Sequence, residues 1–210
     1  MNRTTIISLD ARDLAKVAGG VFQQGTAAND MLHGTATADV IFAGGGHDTA
    51  VTGAGNDQAY GEAGNDVINT GSGNDIAYGG TGNDTINGGW GADQLHGEDG
   101  DDHLDGGAGD GAADLAHGGA GNDSFIWAPG DGNDQFDGGS GNDTLTVTGM
   151  SLQALASALS LDGTDGLQMR VTDNVLTFTD VFGNPATVSG VLNVGGETLR
   201  FTAIERIRLG

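Results

Sequence analysis

A nine-residue pattern fills most of the chain, and its clearest copy reads Gly79-Gly80-Thr81-Gly82-Asn83-Asp84-Thr85-Ile86-Asn87. The Asp of this pattern recurs nine times at an unbroken spacing of nine residues. Insertions at 110–112 and 127–128 shift the series without ending it, so thirteen units are present. Their Asp residues are Asp30, Asp39, Asp48, Asp57, Asp66, Asp75, Asp84, Asp93, Asp102, Asp114, Asp123, Asp134 and Asp143. Self-similarity at a short fixed period is typical of solenoids.

Each unit predicts a six-residue turn followed by a three-residue strand. Gly in the turns permits backbone conformations that are closed to other residues, and the alternation of a strand turns its central residue inward. All thirteen central residues are apolar: Leu32, Ile41, Ala50, Ala59, Ile68, Ala77, Ile86, Leu95, Leu104, Ala116, Phe125, Phe136 and Leu145. Two units make one coil of 18 residues. The sequence therefore predicts an all-β fold, a parallel β-roll that forms a two-sheet right-handed solenoid over residues 21–149.

Acidic side chains dominate the repeats and have no basic counterpart there. Residues 21–149 hold 21 Asp and Glu and no Lys or Arg, and the whole chain has a net charge of −22. Such one-sided segments repel themselves into disorder, so a folded state needs a cation that the chain does not supply. The same charge disfavours nucleic acid and anionic membranes as partners.

The nonamer resembles the G-G-x-G-x-D-x-U-x repeat of the RTX (hemolysin-type) calcium-binding family, over residues 25–146. The resemblance implies that Ca²⁺ lies between turns stacked on the same side of the roll, held by the Asp carboxylates and by turn Gly carbonyls. That donor set suits a hard cation and not Zn²⁺. The Gly residues implied as ligands are Gly55, Gly64, Gly73, Gly82, Gly91 and Gly100. Because coils with Ala50 and Ala59 offer little apolar volume, we infer that the metal supplies much of the folding free energy.

The thirteen Asp residues fall into two columns of seven and six, with at most eleven Ca²⁺ sites between neighbours. Three units depart from the pattern. Ala28 and Thr37 replace the fourth-position Gly of the first two units, and Ala112 and Ala113 replace Gly-Asn before Asp114. The sites of these units are therefore the weakest. An Asp-Gly turn can also satisfy its carboxylate by local hydrogen bonds without an ion, and this remains the alternative.

Aromatic side chains recur on the outer surface of the predicted roll, at the ninth position of alternate units. Together with the Asp that ends the series, they form a ladder of Phe42, Tyr60, Tyr78, His96, His117 and Asp137. Such a ladder could dock a protein or cell-surface partner, a second copy or the C-terminal segment, or it could serve only as same-face pairing within a sheet. We expect no functional transition-metal site at the two His residues.

The N-terminal residues 1–20 are similar to the double-glycine leaders that peptidase-containing ABC exporters cleave. Leu9, Asp13, Leu14 and Val17 match the spacing of such leaders before Gly19-Gly20. The segment lacks the long apolar core of a Sec signal peptide. A short N-terminal helix that closes the open end of the roll is the alternative.

The C-terminal residues 150–210 predict a helix followed by a small β-rich cap. Ser151 precedes a helical pattern, and five strand-like runs follow at 167–172, 175–179, 187–194, 198–202 and 204–209. This segment could also carry an uncleaved export signal, as RTX proteins commonly do.

The function classes follow from these features. Cys is absent, which excludes disulfides and thiolate metal sites, and no apolar run is long enough for a transmembrane helix. No catalytic motif is present, so we expect a secreted, non-enzymatic calcium-binding module that folds after export. The alternatives are a small secreted effector or toxin, or the accessory module of an exported enzyme.

Overall fold

The computed structural model of the protein describes residues 19–163 and 165–210, and within them the chain is almost entirely β. The strands of the roll are β1 (Phe22–Gln24), β2 (Met31–His33), β3 (Val40–Gly45), β4 (Thr49–Val51), β5 (Gln58–Ala63), β6 (Val67–Asn69), β7 (Ile76–Thr81), β8 (Thr85–Asn87), β9 (Gln94–Asp99), β10 (His103–Asp105), β11 (Leu115–Ala120), β12 (Ser124–Trp127), β13 (Gln135–Ser140) and β14 (Thr144–Val147). The C-terminal elements are α1 (Leu152–Ala158), β15 (Leu159–Leu161), β16 (Gln168–Thr172), β17 (Val175–Thr179), β18 (Val188–Val194), β19 (Glu197–Ile204) and β20 (Arg206–Leu209).

Two parallel sheets form the roll, as the repeat predicts. The odd-numbered strands β1 to β13 stack in one sheet and the even-numbered strands β2 to β14 in the other. In the regular region each residue pairs with the residue 18 positions later, for example Ile68 with Ile86. The two insertions lengthen this offset to 21 residues between Leu104 and Phe125 and to 20 between Phe125 and Leu145. The solenoid therefore has about seven coils.

The repeat pattern underestimates the length of the strands in the first sheet. Its strands from β3 to β13 have six residues instead of the predicted three, because the opening residues of the next turn stay in register with their neighbours. Gly44 pairs with Glu62, for instance, and Gly45 with Ala63. A further strand, β1, precedes the first nonamer and pairs with β3. It lacks the repeat Asp, so periodicity does not reveal it.

The core lies between the two sheets and changes character along the axis. All the predicted inward residues except Leu32 are buried. Small side chains such as Ala59 and Ala77 line the early coils, whereas Phe125 and Phe136 fill the later ones, with their ring centroids 5.1 Å apart. The inserted Trp127 is also fully buried. The later coils therefore bury more apolar area, and the early coils contribute less to stability.

The C-terminal segment extends both sheets and reverses their strand direction. Strand β19 pairs with β13 and strand β20 with β14, both in parallel, whereas β18, β15, β17 and β16 add on in antiparallel pairs. The predicted helix is confirmed as α1, with the hydroxyl of Ser151 accepting from the Ala154 amide. Leu155 and Phe201 belong to the same buried apolar cluster as the roll residues from Ala59 onward.

The sequence predicts a helix within residues 1–20. Of these, residues 1–18 lie outside the described residues. In the part of the chain that the structure describes, no helix has both the length and the apolar composition needed to cross a bilayer.

Candidate metal sites in the turns

The thirteen repeat Asp residues stack in two columns, one at each edge of the roll. Each Asp directly precedes a strand, so the parallel pairing of the strands brings every Asp next to the one a coil later. We call the column that precedes the even-numbered strands the first column, and the other the second column. The first column contains Asp30, Asp48, Asp66, Asp84, Asp102, Asp123 and Asp143. The second column contains Asp39, Asp57, Asp75, Asp93, Asp114 and Asp134.

In every repeat Asp after Asp30, one carboxylate oxygen ties two coils together. The backbone N–H of Asp66 donates to Oδ1 of Asp84 at 2.7 Å, and that of Asp84 donates to Oδ1 of Asp102 at 2.8 Å. The same bond links every successive pair in both columns, at 2.7–2.9 Å. The spacing of nine therefore places these carboxylates where they accept hydrogen bonds from turn amides that have no backbone partner.

The other carboxylate oxygen is the unusual feature of these turns. In nine of the repeat Asp residues Oδ2 is buried and has no hydrogen-bond partner: Asp48, Asp57, Asp66, Asp75, Asp84, Asp93, Asp102, Asp123 and Asp143. Leaving a buried charged acceptor without a partner costs several kcal/mol, roughly, and folded proteins avoid it. Nine such oxygens in regular array therefore indicate that the turns are built around a ligand.

Backbone carbonyl oxygens lie close to several of these unpartnered Oδ2 atoms. A Cβ atom built on Gly79 would lie 2.4 Å from Oδ2 of Asp84 and 2.7 Å from the carbonyl oxygen of Gly97, one coil further on. The first Gly of the next two units in this column, Gly97 and Gly118, has equivalent neighbours. Only Gly leaves this space open, and the atoms that face it are oxygens.

The six Gly residues predicted as ligands, from Gly55 to Gly100, occupy the fourth position of their turns. All six have positive φ, between 109° and 140°. A Cβ on Gly82 would lie 2.0 Å from the carbonyl oxygen of Gly64, one coil earlier. The close stacking of turns thus requires Gly at this position, whether or not its carbonyl binds an ion.

Burial raises the pKa of the repeat Asp carboxyls from Asp57 onward, in both columns. The pKa rises to about 7 for Asp84 and Asp93, because burial disfavours the charged form and neighbouring carboxylates add repulsion. Asp123 and Asp134 also reach a pKa of about 7, and Asp75, Asp102, Asp114 and Asp143 a pKa of about 6, with burial again the largest cause. Among the described residues the ion pair found is His117 with Asp137, at 3.9 Å on the surface. No basic side chain of that part of the chain neutralises the columns.

The Asp carboxylates of the first two units have local hydrogen-bond donors. Oδ2 of Asp30 accepts from the amide of Thr26 at 2.6 Å and from its hydroxyl at 2.8 Å. Asp39 accepts from the amide and hydroxyl of Thr35. Local hydrogen bonds therefore satisfy both carboxylates without an ion.

The unit around Asp114 keeps its place in the column despite its insertion. Oδ1 of Asp114 accepts from the Asp93 amide at 2.9 Å. The inserted loop is held by Asp131, which periodicity does not mark and which is only 6% exposed. Its carboxylate accepts from the amides of Gly109 and Ala128.

Three turns of the second column begin with a residue other than Gly, and in two of them it is a Thr that bonds to the next coil. Thr52 and Thr70 begin the turns of Asp57 and Asp75, and both are fully buried. Their hydroxyls donate to the carbonyls of Thr70 and Gly88, one coil on, at 2.6 and 2.7 Å. These carbonyls are therefore already engaged, which makes Asp57 and Asp75 weaker ligand candidates than Asp84.

The donor set fits a hard cation. In the part of the chain that the structure describes, no three His, Asp or Glu side chains gather into a metal-binding group. Further ligands would have to be backbone carbonyls, such as those that face Oδ2 across the first-position Gly residues. Carboxylate and carbonyl oxygens are what Ca²⁺ takes in proteins, six to eight at a time.

The outer aromatic ladder is present and extends one step further than predicted. Neighbouring rings from Phe42 to His117 stack with centroids 4.5–5.2 Å apart, and Phe22 adds a tilted contact to Phe42. The described part of the C-terminal segment continues this sheet at its edge, by pairing Thr202 with Asp137.

Comparison with known proteins agrees with this geometry. The family described as RTX calcium-binding nonapeptide repeat matches residues 24–59, 44–77, 60–95, 78–112, 109–126 and 130–146, together 120 of the 210 residues. No curated protein sequence matches the chain. Among solved structures, the extracellular lipase LipA from Serratia marcescens is similar at 14% identity and a TM-score of 0.25. The match covers 89% of this chain but only 39% of the lipase chain.

Proposed function

The chain belongs to the RTX calcium-binding nonapeptide repeat family, and from this membership we propose that it is a secreted, non-enzymatic module that folds when Ca²⁺ fills its turns. The observation that carries the proposal is the set of nine buried Asp Oδ2 atoms without hydrogen-bond partners. Ca²⁺, when bound, supplies the positive charge that the repeats lack.

The ligands that we propose follow the geometry of the turns. The strongest candidates face a carbonyl of the next coil across a first-position Gly, and they are Asp66, Asp84, Asp93, Asp102, Asp123 and Asp143. Asp48, Asp57, Asp75, Asp114 and Asp134 complete the set, with Gly55, Gly64, Gly73, Gly82, Gly91 and Gly100 as carbonyl donors. Asp30 and Asp39 are the weakest, since Thr26 and Thr35 already satisfy them. The number of ions between repeat turns is therefore below the limit of eleven.

The chain's own residues make folding conditional on the ion. Each of the nine Asp residues with an unpartnered Oδ2 holds an amide of the preceding coil through Oδ1, and it brings a buried negative charge with it. Without a cation this array costs free energy that the Ala-rich early core does not offset. The unfolded chain would therefore persist where Ca²⁺ is scarce, and the roll would form outside the cell, where Ca²⁺ is abundant.

Export through an ABC-type exporter is part of the same proposal. The double glycine at Gly19-Gly20 would be the end of a cleaved leader, with mature protein beginning at Val21. The extension of both sheets by residues 150–210 would close the C-terminal end of the roll. Closure is useful because an open solenoid end exposes unpaired strand edges.

Circular dichroism of the full chain, titrated with Ca²⁺ and separately with Mg²⁺, tests the proposal. We expect a cooperative gain of β signal with Ca²⁺, its reversal by a chelator, and little response to Mg²⁺, which keeps its waters and demands stricter geometry. Mass spectrometry of the protein secreted by its host would give the mature N-terminus.

A β signal that is complete in excess chelator would overturn calcium-dependent folding. A secreted form that retains Met1 or Asn2 would leave calcium-dependent folding intact but would exclude the cleaved leader.

A further inference from the structure

The first Asp column does not end with the last repeat. The backbone N–H of Asp143 donates to a carboxylate oxygen of Glu205 at 2.6 Å. This is the bond that links every earlier pair in the column, for example Asp123 to Asp143 at 2.8 Å. Glu205 is 8% exposed, although it lies 62 residues beyond Asp143 and outside every match to the nonapeptide family.

The strand register shows that residues 203–205 replace a complete repeat turn. Asp137 pairs with Thr202 and Thr144 pairs with Arg206. Ala203 therefore stands opposite Gly138, the first residue of the last repeat turn, and Glu205 stands opposite Asp143. The three residues 203–205 cross a distance that the six residues 138–143 cross in the repeat, and the longer Glu side chain compensates for the shorter turn.

The oxygens of this shortened turn are arranged as in the repeats. A Cβ atom on Gly138 would lie 2.4 Å from the carbonyl oxygen of Ala203 and 2.7 Å from Oδ2 of Asp143. At the regular turn before it, a Cβ on Gly118 would lie 2.6 Å from the carbonyl oxygen of Gly138 and 2.3 Å from Oδ2 of Asp123. Ala203 adopts a φ of +55°, which is strained for a residue with a side chain.

The buried charge at this end is unbalanced. Asp143 is fully buried, and its Oδ2 has no hydrogen-bond partner. The second oxygen of Glu205 accepts from the hydroxyl of Thr187 at 2.7 Å, which fixes the carboxylate in place. Two buried carboxylates and a carbonyl thus meet at one end of the roll, and no basic side chain forms an ion pair with either carboxylate among the described residues.

We propose that a further Ca²⁺ site closes the first column, between Asp143 and residues 203–205, with Oδ2 of Asp143 and the Ala203 carbonyl as its protein ligands. Glu205, whose two oxygens accept from the Asp143 amide and the Thr187 hydroxyl, supplies the second negative charge beside the ion. The site rests on the proposed function, because it uses the same ion, but it lies partly outside the repeats. Folding of the C-terminal segment then also depends on calcium, because the ion joins the last repeat turn to β20. The last repeat turn and the C-terminal segment fold in one step.

The second column ends without such a site, which provides an internal control. The pairing of Gln135 with Arg200 places Leu199 opposite Asp134, and Leu199 is fully buried. Glu197 is the nearest acid in sequence, and its carboxylate accepts from the amide of Gly130 at 2.7 Å. Glu197 thus matches Glu205 in charge and in its bond to a turn amide, but a Leu occupies the Asp position beside it.

Native mass spectrometry of the full chain at saturating Ca²⁺ tests the site by counting bound ions. We expect Glu205→Gln to bind one Ca²⁺ fewer than the unaltered chain, since Gln keeps the shape and the acceptor oxygen but removes the charge. Glu197→Gln should bind as many as the unaltered chain. Circular dichroism should show that Glu205→Gln needs more Ca²⁺ to reach half of its β signal, whereas Glu197→Gln does not.

An unchanged ion count in Glu205→Gln would overturn the site while leaving calcium binding by the repeats intact. An unaltered chain that binds no Ca²⁺ would overturn the proposed function and this site together. Should Glu205→Gln fail to fold, a crystal structure of the unaltered chain with Ca²⁺ decides: an ion within about 2.6 Å of Asp143 Oδ2 and the Ala203 carbonyl supports the site, and water or sodium there contradicts it.

Discussion

The two opening turns of the roll differ from the nine turns with unpartnered Asp oxygens in what stabilises the negative charge of the repeat Asp. In the opening turns Thr26 and Thr35 donate to the second carboxylate oxygen of Asp30 and Asp39. In the nine later turns that oxygen has no hydrogen-bond donor, and in six of them it faces a carbonyl oxygen across a first-position Gly. A Thr in the second position of the turn thus does locally what the later turns leave to a cation. The comparison teaches that the Asp spacing builds the column, whereas the residues around each Asp decide whether it needs an ion.

The largest expected effect concerns pH in the absence of Ca²⁺. The pKa of Asp84, Asp93 and Asp123 is raised to about 7 in the folded roll, because burial disfavours the charge. An Asp carboxyl whose folded pKa lies above its unfolded value of about 3.9 favours folding when it is protonated. This stabilisation is complete below about pH 4 and is lost as the pH rises through 7. Circular dichroism in chelator should therefore show β structure at pH 4 that disappears by pH 8.

Saturating Ca²⁺ should reverse this dependence, because the metal needs deprotonated ligands. The β signal should then persist at pH 8. A chain in chelator that gains no β structure on acidification would contradict the view that buried carboxylate charge is what keeps the later turns unfolded.

The second prediction fills the oxygen-lined space of one later turn. Gly79→Ala places a Cβ 2.4 Å from Oδ2 of Asp84 and 2.7 Å from the Gly97 carbonyl. Since backbone and carboxylate must move, we expect a loss of about 1–3 kcal/mol in the free energy of unfolding at saturating Ca²⁺, and a higher Ca²⁺ midpoint. Gly45→Ala is the matched control, because its Cβ would have no neighbour closer than 3.6 Å. Equal midpoints for the two variants would contradict the assigned site.

The third prediction compares the same substitution in the two regions. Asp84→Asn removes a charge from an unpartnered oxygen, and we expect it to cost about 1–3 kcal/mol of calcium-dependent stability. Without Ca²⁺ it should instead ease folding, because a buried charge is gone. Asp30→Asn should change stability by no more than about 0.5 kcal/mol, since its oxygen is partly exposed and already hydrogen-bonded. Chemical denaturation with Ca²⁺ and with chelator measures the free energy of unfolding of both variants. Equal losses in the two variants would contradict the difference between the opening and the later turns.

The repeat itself made much of this fold predictable. A strict spacing of nine fixes which residue faces inward, and the inward residues after Leu32 are buried as expected. The same spacing predicts that Asp66 stacks beneath Asp84. That Ala28 and Thr37 weaken the sites of the first two units stays a prediction, and in both units a Thr at the second position of the turn donates to the Asp. Local pattern was sufficient here because each coil repeats the contacts of its neighbour.

Features without a repeat were missed for a physical reason. Strand β1 and Glu205 take their places through pairing with distant strands, and neither carries the nonamer signal. Thr52 and Thr70 could have been noticed as departures from first-position Gly, but their bonds to the next coil depend on the exact stacking of turns. The six-residue strands of the first sheet likewise arise from register between coils.

The smallest expected effect is in the opening turns. Thr26→Val removes the hydroxyl that donates to Asp30 at 2.8 Å but keeps the Thr26 amide bond at 2.6 Å. Because this carboxylate is partly exposed, water can replace the hydroxyl, and we expect a loss below about 0.5 kcal/mol with no change in the number of bound Ca²⁺. Thr85→Val, at an exposed outward position of β8, controls for the substitution itself. Thermal unfolding at saturating Ca²⁺ measures both. A loss as large as that of Gly79→Ala would mean that the opening turns depend on their carboxylates as strongly as the later ones, and the contrast between the two regions would then fail.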